Sequence, residues 1–124
     1  MDLSKRILIV DDFATMRRIA KLMLQSLGFT NVEEAEDGQE ALASIRNQRV
    51  DLVLSDCNMP NMNGLELLSE LRQDSDLQDI PFIVMTSTDQ KESLLEMVKA
   101  GASDYIEKPF QADALKAKLE KYLD

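Results

Sequence analysis

Ile7-Leu8-Ile9-Val10-Asp11-Asp12 is the stretch whose reading decides the fold. Four apolar residues in a row have the length and the β-branched content of a buried strand. The run then stops on two carboxylates. The same arrangement recurs down the chain. Leu52-Val53-Leu54-Ser55 runs into Asp56, Phe82-Ile83-Val84-Met85 runs into Thr86, and the shorter Tyr105-Ile106 is followed by Glu107, Lys108 and Pro109. As parallel strands of one sheet, these four would end on a common edge, where open α/β sheets bind their ligands. Three carboxylates, a hydroxyl and one lysine would then converge on a single pocket.

The text between the runs is helical. Met16, Ile19, Ala20, Met23, Leu24 and Leu27 fall on one helix face, and Gly28 follows as the expected C-terminal stop. Residues 32–36 read as a shorter, less apolar strand. Asp37-Gly38 marks a turn before helical spacing at Ala41, Leu42 and Ile45. After Asp56 comes a turn-rich loop, Asn58 to Gly64, and then a helix over 65–71. Pro81 opens the fourth strand, where a missing amide is tolerated. Residues 90–100 are helical and stop at Gly101. A short fifth strand spans 104–106, and the last helix sets Leu115, Leu119, Tyr122 and Leu123 on one side. Strands alternating with helices predict a parallel sheet with right-handed crossovers and helices on both faces. The fold class is therefore α/β, a doubly wound sheet of five strands with five helices.

Composition narrows the function. A chain of 124 residues forms one domain, residues 1–124, large enough to bury a core without a disulfide or structural metal. No apolar stretch approaches the ~18 residues that would cross a membrane, and the N-terminus lacks the apolar core of a signal peptide. The single cysteine, Cys57, fits a reducing cytoplasm and reads as a packing residue. The net charge of −9 argues against nucleic acid as the main partner. The absence of histidine excludes a Ser-His-Asp hydrolase and a phosphohistidine carrier. With nothing after Asp124, no output domain is expected and the molecule should act by binding a partner.

Asp11 and Asp12 are expected at the end of the first strand and Asp56 at the end of the third. Two unit charges ~4 Å apart repel by about 4 kcal/mol at an effective dielectric near 20. A hard divalent cation with oxygen ligands offsets this, and few carboxylates plus several waters favour Mg2+. Lys108 brings a positive charge to the same place. The bland alternative is that acids after strands merely cap helices, and for Asp12 alone it weighs equally. For three acids beside Thr86 and Lys108 it does not. A carboxylate of such a group can attack phosphorus and hold an aspartyl phosphate, while the metal, the lysine and the hydroxyl stabilise the phosphoryl oxygens.

Together these residues resemble the receiver domains of response regulators, and within them the chemotaxis regulators. The resemblance runs through Val10-Asp11-Asp12-Phe13, Ser55-Asp56, Met59-Pro60-Asn61-Met62, Gly64-Leu65-Glu66-Leu67-Leu68, Met85-Thr86, Gly101-Ala102-Ser103 and Lys108-Pro109-Phe110. It implies a flavodoxin-like strand order 2-1-3-4-5 and a monomer. It implies that Asp56 accepts a phosphoryl group from a phosphohistidine on a histidine kinase. Asp12, Asp56 and the backbone carbonyl of Asn58 would coordinate Mg2+, with Asp11 acting through a water. Lys108 would pair with the phosphoryl oxygens from a cis Lys108-Pro109 bond. Thr86 would move to hydrogen-bond them as Tyr105 rotates inward. A flagellar motor switch protein would be the target and a phosphatase a further partner. Cys57, Asn63, Ser87 and Thr88 depart from the chemotaxis pattern, at places that bear on the lifetime of the phosphorylated state.

Leu94, Leu95, Met97 and Val98 are four apolar residues in five positions, more than one helical stripe buries. The excess should face solvent near Tyr105, Lys116 and Lys118, on a surface suited to a partner helix. Four rivals compete. A phosphorylation-independent receiver-like scaffold should have lost at least one of Asp12, Asp56 or Lys108, and none is missing. A regulator or phosphate sink outside chemotaxis uses the same site. An aspartate-nucleophile phosphatase needs a second acid two residues after the nucleophile, where Asn58 stands. A flavin mononucleotide binder needs a phosphate loop after the first strand, where Asp11-Asp12 would repel it.

Overall fold

The computed structural model describes residues 1–123 and alternates strand and helix from end to end. Strand β1 spans Arg6–Val10, followed by α1 (Ala14–Ser26), β2 (Asn31–Ala35), α2 (Gly38–Asn47), β3 (Leu52–Asp56), α3 (Gly64–Gln73), β4 (Phe82–Thr86), α4 (Lys91–Lys99), β5 (Asp104–Glu107) and α5 (Ala112–Tyr122). All strand pairs are parallel, in the order β2-β1-β3-β4-β5. Val10 lies opposite Ser55, Asp56 opposite Met85, and Thr86 opposite Glu107. That register brings the four polar strand ends to one edge.

Alternate residues of the central strands feed two cores. Leu8, Val10, Val53 and Val84 pack with Leu67, Leu68, Leu71, Ile45 and Met97 under α2, α3 and α4. Ile7, Ile9, Leu52, Leu54, Ile83 and Met85 pack with Ala20, Leu24, Leu115 and Leu119 under α1 and α5. Strands β3 and β4 are buried throughout, as expected of parallel strands covered on both faces. No helix among the described residues is long and apolar enough to cross a membrane.

Two details differ from the reading of the sequence. Ile19 is 42% exposed, although its spacing places it with the buried face of α1. The stripe is centred on Ala20 and Leu24, with Met16, Met23 and Leu27 packed against the same core. Ile19, about 100° round the helix from Ala20, falls at its margin. Strand β2 begins one residue earlier than the apolar pattern suggests, at Asn31. It is an edge strand, and its polar side chains pair outward: Glu33 with Arg6, and Glu34 with Arg17 and Lys21. Gly28 behaves as expected, with φ of 104° just past the end of α1.

Helix α4 is preceded by a 3-10 turn, Thr88–Gln90, stabilised by the Ser87 amide and hydroxyl, both donating to the Gln90 side chain at 3.0 Å. On α4 itself Met97 is buried and Leu94 half-buried, while Leu95 and Val98 are exposed. The surplus of apolar residues does face solvent.

Strand β5 is tied to α5 through Asp104, which accepts from Lys118 at 2.9 Å and from the Tyr122 hydroxyl at 3.2 Å. Burial opposes the charged form of Asp104. The bonds from Lys118, the Tyr105 amide and Tyr122 outweigh it and hold the carboxyl below its ordinary range. A depressed carboxyl pKa contributes stability above the unfolded-state value and loses it as pH falls through the folded one. The stability gap between wild type and Asp104→Asn, from urea unfolding, is therefore expected to be full at neutral pH and to close under strongly acid conditions. A gap that persists there would show that Asp104 acts through packing, not charge.

Candidate functional site

The strand ends deliver the chemistry. Asp11 follows β1 and is 1% exposed. Asp56 ends β3 and is 7% exposed, whereas Asp12 is open to solvent. Each offers a carboxylate oxygen, and the three oxygens lie within 4.8 Å of one another. Lys108, just past β5, sets its Nζ 3.2 Å from Oδ2 of Asp11 and 3.2 Å from Oδ1 of Asp56. The Lys108-Pro109 bond is cis, as the resemblance implied. Residues 97 apart in sequence are thus in direct contact.

Local bonds aim each acid. Asp11 accepts from the Phe13 amide through Oδ1 at 2.9 Å, which leaves Oδ2 for Lys108. Arg17 donates to the Asp11 backbone carbonyl at 2.7 Å, so the first turn of α1 braces the end of β1. Asp56 accepts from the Cys57 amide at 2.8 Å. Asp12 does not cap α1: the N-cap is Phe13, with no side-chain cap, so the helix-capping alternative for Asp12 fails.

Electrostatics are unbalanced. Burial first, and then the charge of Asp11, push the Asp56 carboxyl above its ordinary range, and Lys108 and the Cys57 amide only partly oppose them. Burial works against a charged Lys108 too, but there Asp56 and Asp11 prevail and raise it. The two directions agree on the physics. One ammonium sits among three carboxylates, so the lysine is held charged while the buried acid still lacks compensation. All-oxygen donors with uncompensated negative charge are the donor chemistry that a hard divalent cation meets best, and the residues present fit Mg2+.

Cys57 is 3% exposed and packs in the α3 core, with its Sγ 3.9 Å from the Met85 carbonyl. Burial and the neighbouring Asp56 push the thiol up, which keeps it protonated and agrees with a packing role. Asn58 begins the exposed loop after β3.

Neither Thr86 nor Tyr105 hydrogen-bonds to the three acids among the described residues. The Thr86 hydroxyl is buried at the end of β4 and donates to the Ser87 carbonyl at 3.4 Å. Tyr105 is 46% exposed, with Lys118 Nζ 5.5 Å from its ring centre. Both line one groove of about 160 Å³ with Ser87, Lys91 and Leu94. The groove lies between the ends of β4 and β5 and the first turn of α4. One contact of the loop after β3 was missed in the sequence, between Asp37 and Asn61. Asp37-Gly38 read only as a turn, and nothing local shows that Asp37 is in contact with the loop after β3.

Comparison with known proteins agrees with the geometry. The model of the response regulator receiver domain matches residues 7–120, and the chain belongs to that family. It is closely related to the CheY chemotaxis proteins. It is 45% identical over 119 residues to chemotaxis protein CheY-3 of Vibrio cholerae, covering 96% of this chain and 92% of that one. Among solved structures, the chemotaxis response regulator CheY4 of Vibrio cholerae superposes with a TM-score of 0.87 at 34% identity, covering 97% and 99% of the two chains. The receiver domain of a sensor histidine kinase from Pseudomonas aeruginosa PAO1, solved with a magnesium ion coordinated in its active site cleft, gives 0.88 at 30% identity, covering 96% and 97%.

Proposed function

We propose that Asp56 is the phosphoryl acceptor of a two-component relay of the chemotaxis type. The observation that carries this is the contact of Lys108 with both Asp11 and Asp56 inside the acidic triplet. A carboxylate oxygen of Asp56 attacks the phosphorus of a phosphohistidine on a histidine kinase. The phosphorus–nitrogen bond breaks, its electron pair stays on the imidazole, and the imidazole takes up a proton. Lys108 pairs with the transferring oxygens, already in place before the donor arrives. Asp12, Asp56 and the Asn58 backbone carbonyl would hold Mg2+, with Asp11 acting through a water, and the ion would supply the remaining positive charge. The magnesium ion in the active site cleft of the related Pseudomonas aeruginosa receiver domain supports a cation in this pocket.

The added charge of an acyl phosphate draws the Thr86 hydroxyl away from Ser87, and Tyr105 follows into the groove they share. The exposed Leu95 and Val98 of α4 lie on the same helix as Lys91 and Leu94, which line that groove. The reading is of a cytoplasmic regulator that catalyses its own phosphorylation and slow dephosphorylation. It switches binding to a target such as a flagellar motor switch protein and is reset by a phosphatase. Asn58, in place of a second acid, favours a stored acyl phosphate over rapid hydrolysis.

The test is intact-mass spectrometry after incubation with Mg2+ and a small acyl phosphate donor. Wild type is expected to gain one phosphoryl group, to gain none when the metal is chelated, and to gain none as Asp56→Asn. A phosphorylated Asp56→Asn protein would place the chemistry elsewhere.

A further inference from the structure

The loop between Asp56 and α3 has no regular structure of its own, yet it is heavily tied. At its ends the Cys57 amide donates to Oδ1 of Asp56 at 2.8 Å, and the Gly64 amide to the Cys57 carbonyl at 2.9 Å. At its crown the Met62 amide turns back onto the Pro60 carbonyl at 2.6 Å. Asn61 there has φ of 65°, a region open to asparagine at a conformational cost for most residues.

The remaining ties cross to another element. The Asn61 side-chain amide donates to Oδ2 of Asp37 at 2.7 Å. The other oxygen of that carboxylate, Oδ1, accepts from the Glu40 amide at 2.8 Å and caps α2. A helix cap alone needs one oxygen, and here the second is given to the loop. Beside it, the Gly38 amide donates to the Met62 carbonyl at 2.9 Å. A Cβ on Gly38 would stand 2.7 Å from that carbonyl oxygen, so only glycine permits the approach. The Glu40 amide and then Asn61 hold the Asp37 carboxyl below its ordinary range, so at neutral pH it is an ionised acceptor on both sides.

We propose that Asp37 and Asn61 are positioning residues for the cation of the acidic pocket. Their hydrogen bond clamps the loop that leaves Asp56 and so places the backbone carbonyl of Asn58. The clamp rests on the cation site proposed above and deepens it. The loop starts at one of the carboxylates and must present its own oxygen within a narrow range of positions. A loop already ordered by α2 meets the ion without further loss of freedom. Groups bonded directly to metal ligands typically govern metal affinity by 10- to 100-fold, and a clamp that acts through three residues of loop is expected at the lower end of that range.

The test is calorimetric titration of Mg2+ at neutral pH, with melting temperature and circular dichroism measured on the same samples. Asn61→Gly keeps the left-handed backbone accessible and deletes the amide. Asp37→Ser keeps a helix cap but is too short to reach Asn61. Both are expected to remain folded and to bind Mg2+ on the order of tenfold more weakly. Asp37→Asn retains both contacts, because the Asn61 amide can turn its oxygen to the new donor, and is expected to bind close to wild type. Unchanged affinity in Asn61→Gly and Asp37→Ser beside a wild type that binds would overturn the clamp. So would an Asp37→Asn protein as weak as Asp37→Ser, since charge and not the hydrogen bond would then be at work. A wild type that takes up no Mg2+ would remove the cation site itself, and the clamp with it.

Discussion

Lys108→Ala is expected to slow phosphoryl uptake by about 10²- to 10³-fold, the loss typical of removing one preorganised group from charge that develops in a transition state. The ammonium is 3.2 Å from two buried carboxylates and has no substitute in direct contact with either among the described residues. The fold should persist. Lys108 lies past the end of β5, and Asp56, already pushed toward its neutral form by burial, can take up a proton when its partner leaves. The variant carries a second signature. Removing a positive charge from among three acids should tighten Mg2+ binding, because lysine and ion share the same negative field. Timed mass spectrometry of phosphoryl uptake at saturating Mg2+, together with a Mg2+ titration, separates the two effects. Uptake near the wild-type rate would remove Lys108 from the reaction. Slow uptake with weakened Mg2+ binding would mean that the lysine organises the pocket rather than the phosphoryl group.

Leu54→Ala is the second large effect. Leu54 is fully buried in the middle of β3, between Ile9 and Ile83 in register, and faces the core under α1 and α5. Truncation removes three carbons from a site with no solvent to fill the gap, a loss of about 2–5 kcal/mol. Domains of this kind hold about 5–15 kcal/mol in all, so the melting temperature should fall on the order of 10 °C. Leu95→Ala is the contrast. That side chain is 60% exposed on α4, and its loss should leave the melting temperature nearly unchanged. A Leu54→Ala protein as stable as Leu95→Ala would mean that β3 is not the packed centre of the sheet.

The central strands were legible because both of their faces are covered, which writes an uninterrupted apolar run into the sequence. The helices were legible through spacing: Ala41, Leu42 and Ile45 all lie in the core as expected. Legibility failed where tertiary context decides. Strand β2 pairs with β1 alone, and its outward residues are charged, so its apolar signal is thin and its boundary slipped. Ile19 shows that a spacing rule fixes a stripe but not its margins. The meeting of Asp11, Asp12, Asp56 and Lys108 was inferable from the rule that parallel strand ends share an edge. The Asp37–Asn61 bond was not, because its members lie on separate loops 24 residues apart and each has a sufficient local reading as a turn residue. Where the Thr86 hydroxyl and the Tyr105 ring point is a matter of rotamer, which no periodicity records.

The register of the sheet has a consequence for quality control. Because the acids and the lysine come from three strands and belong to no contiguous peptide, they meet only in a molecule whose β1, β3 and β5 are all seated. A nascent, truncated or heat-damaged copy has the same residues and no meeting point for them. It should therefore neither drain phosphoryl groups from the kinase nor issue a false message, so that competence to signal doubles as a certificate of correct folding.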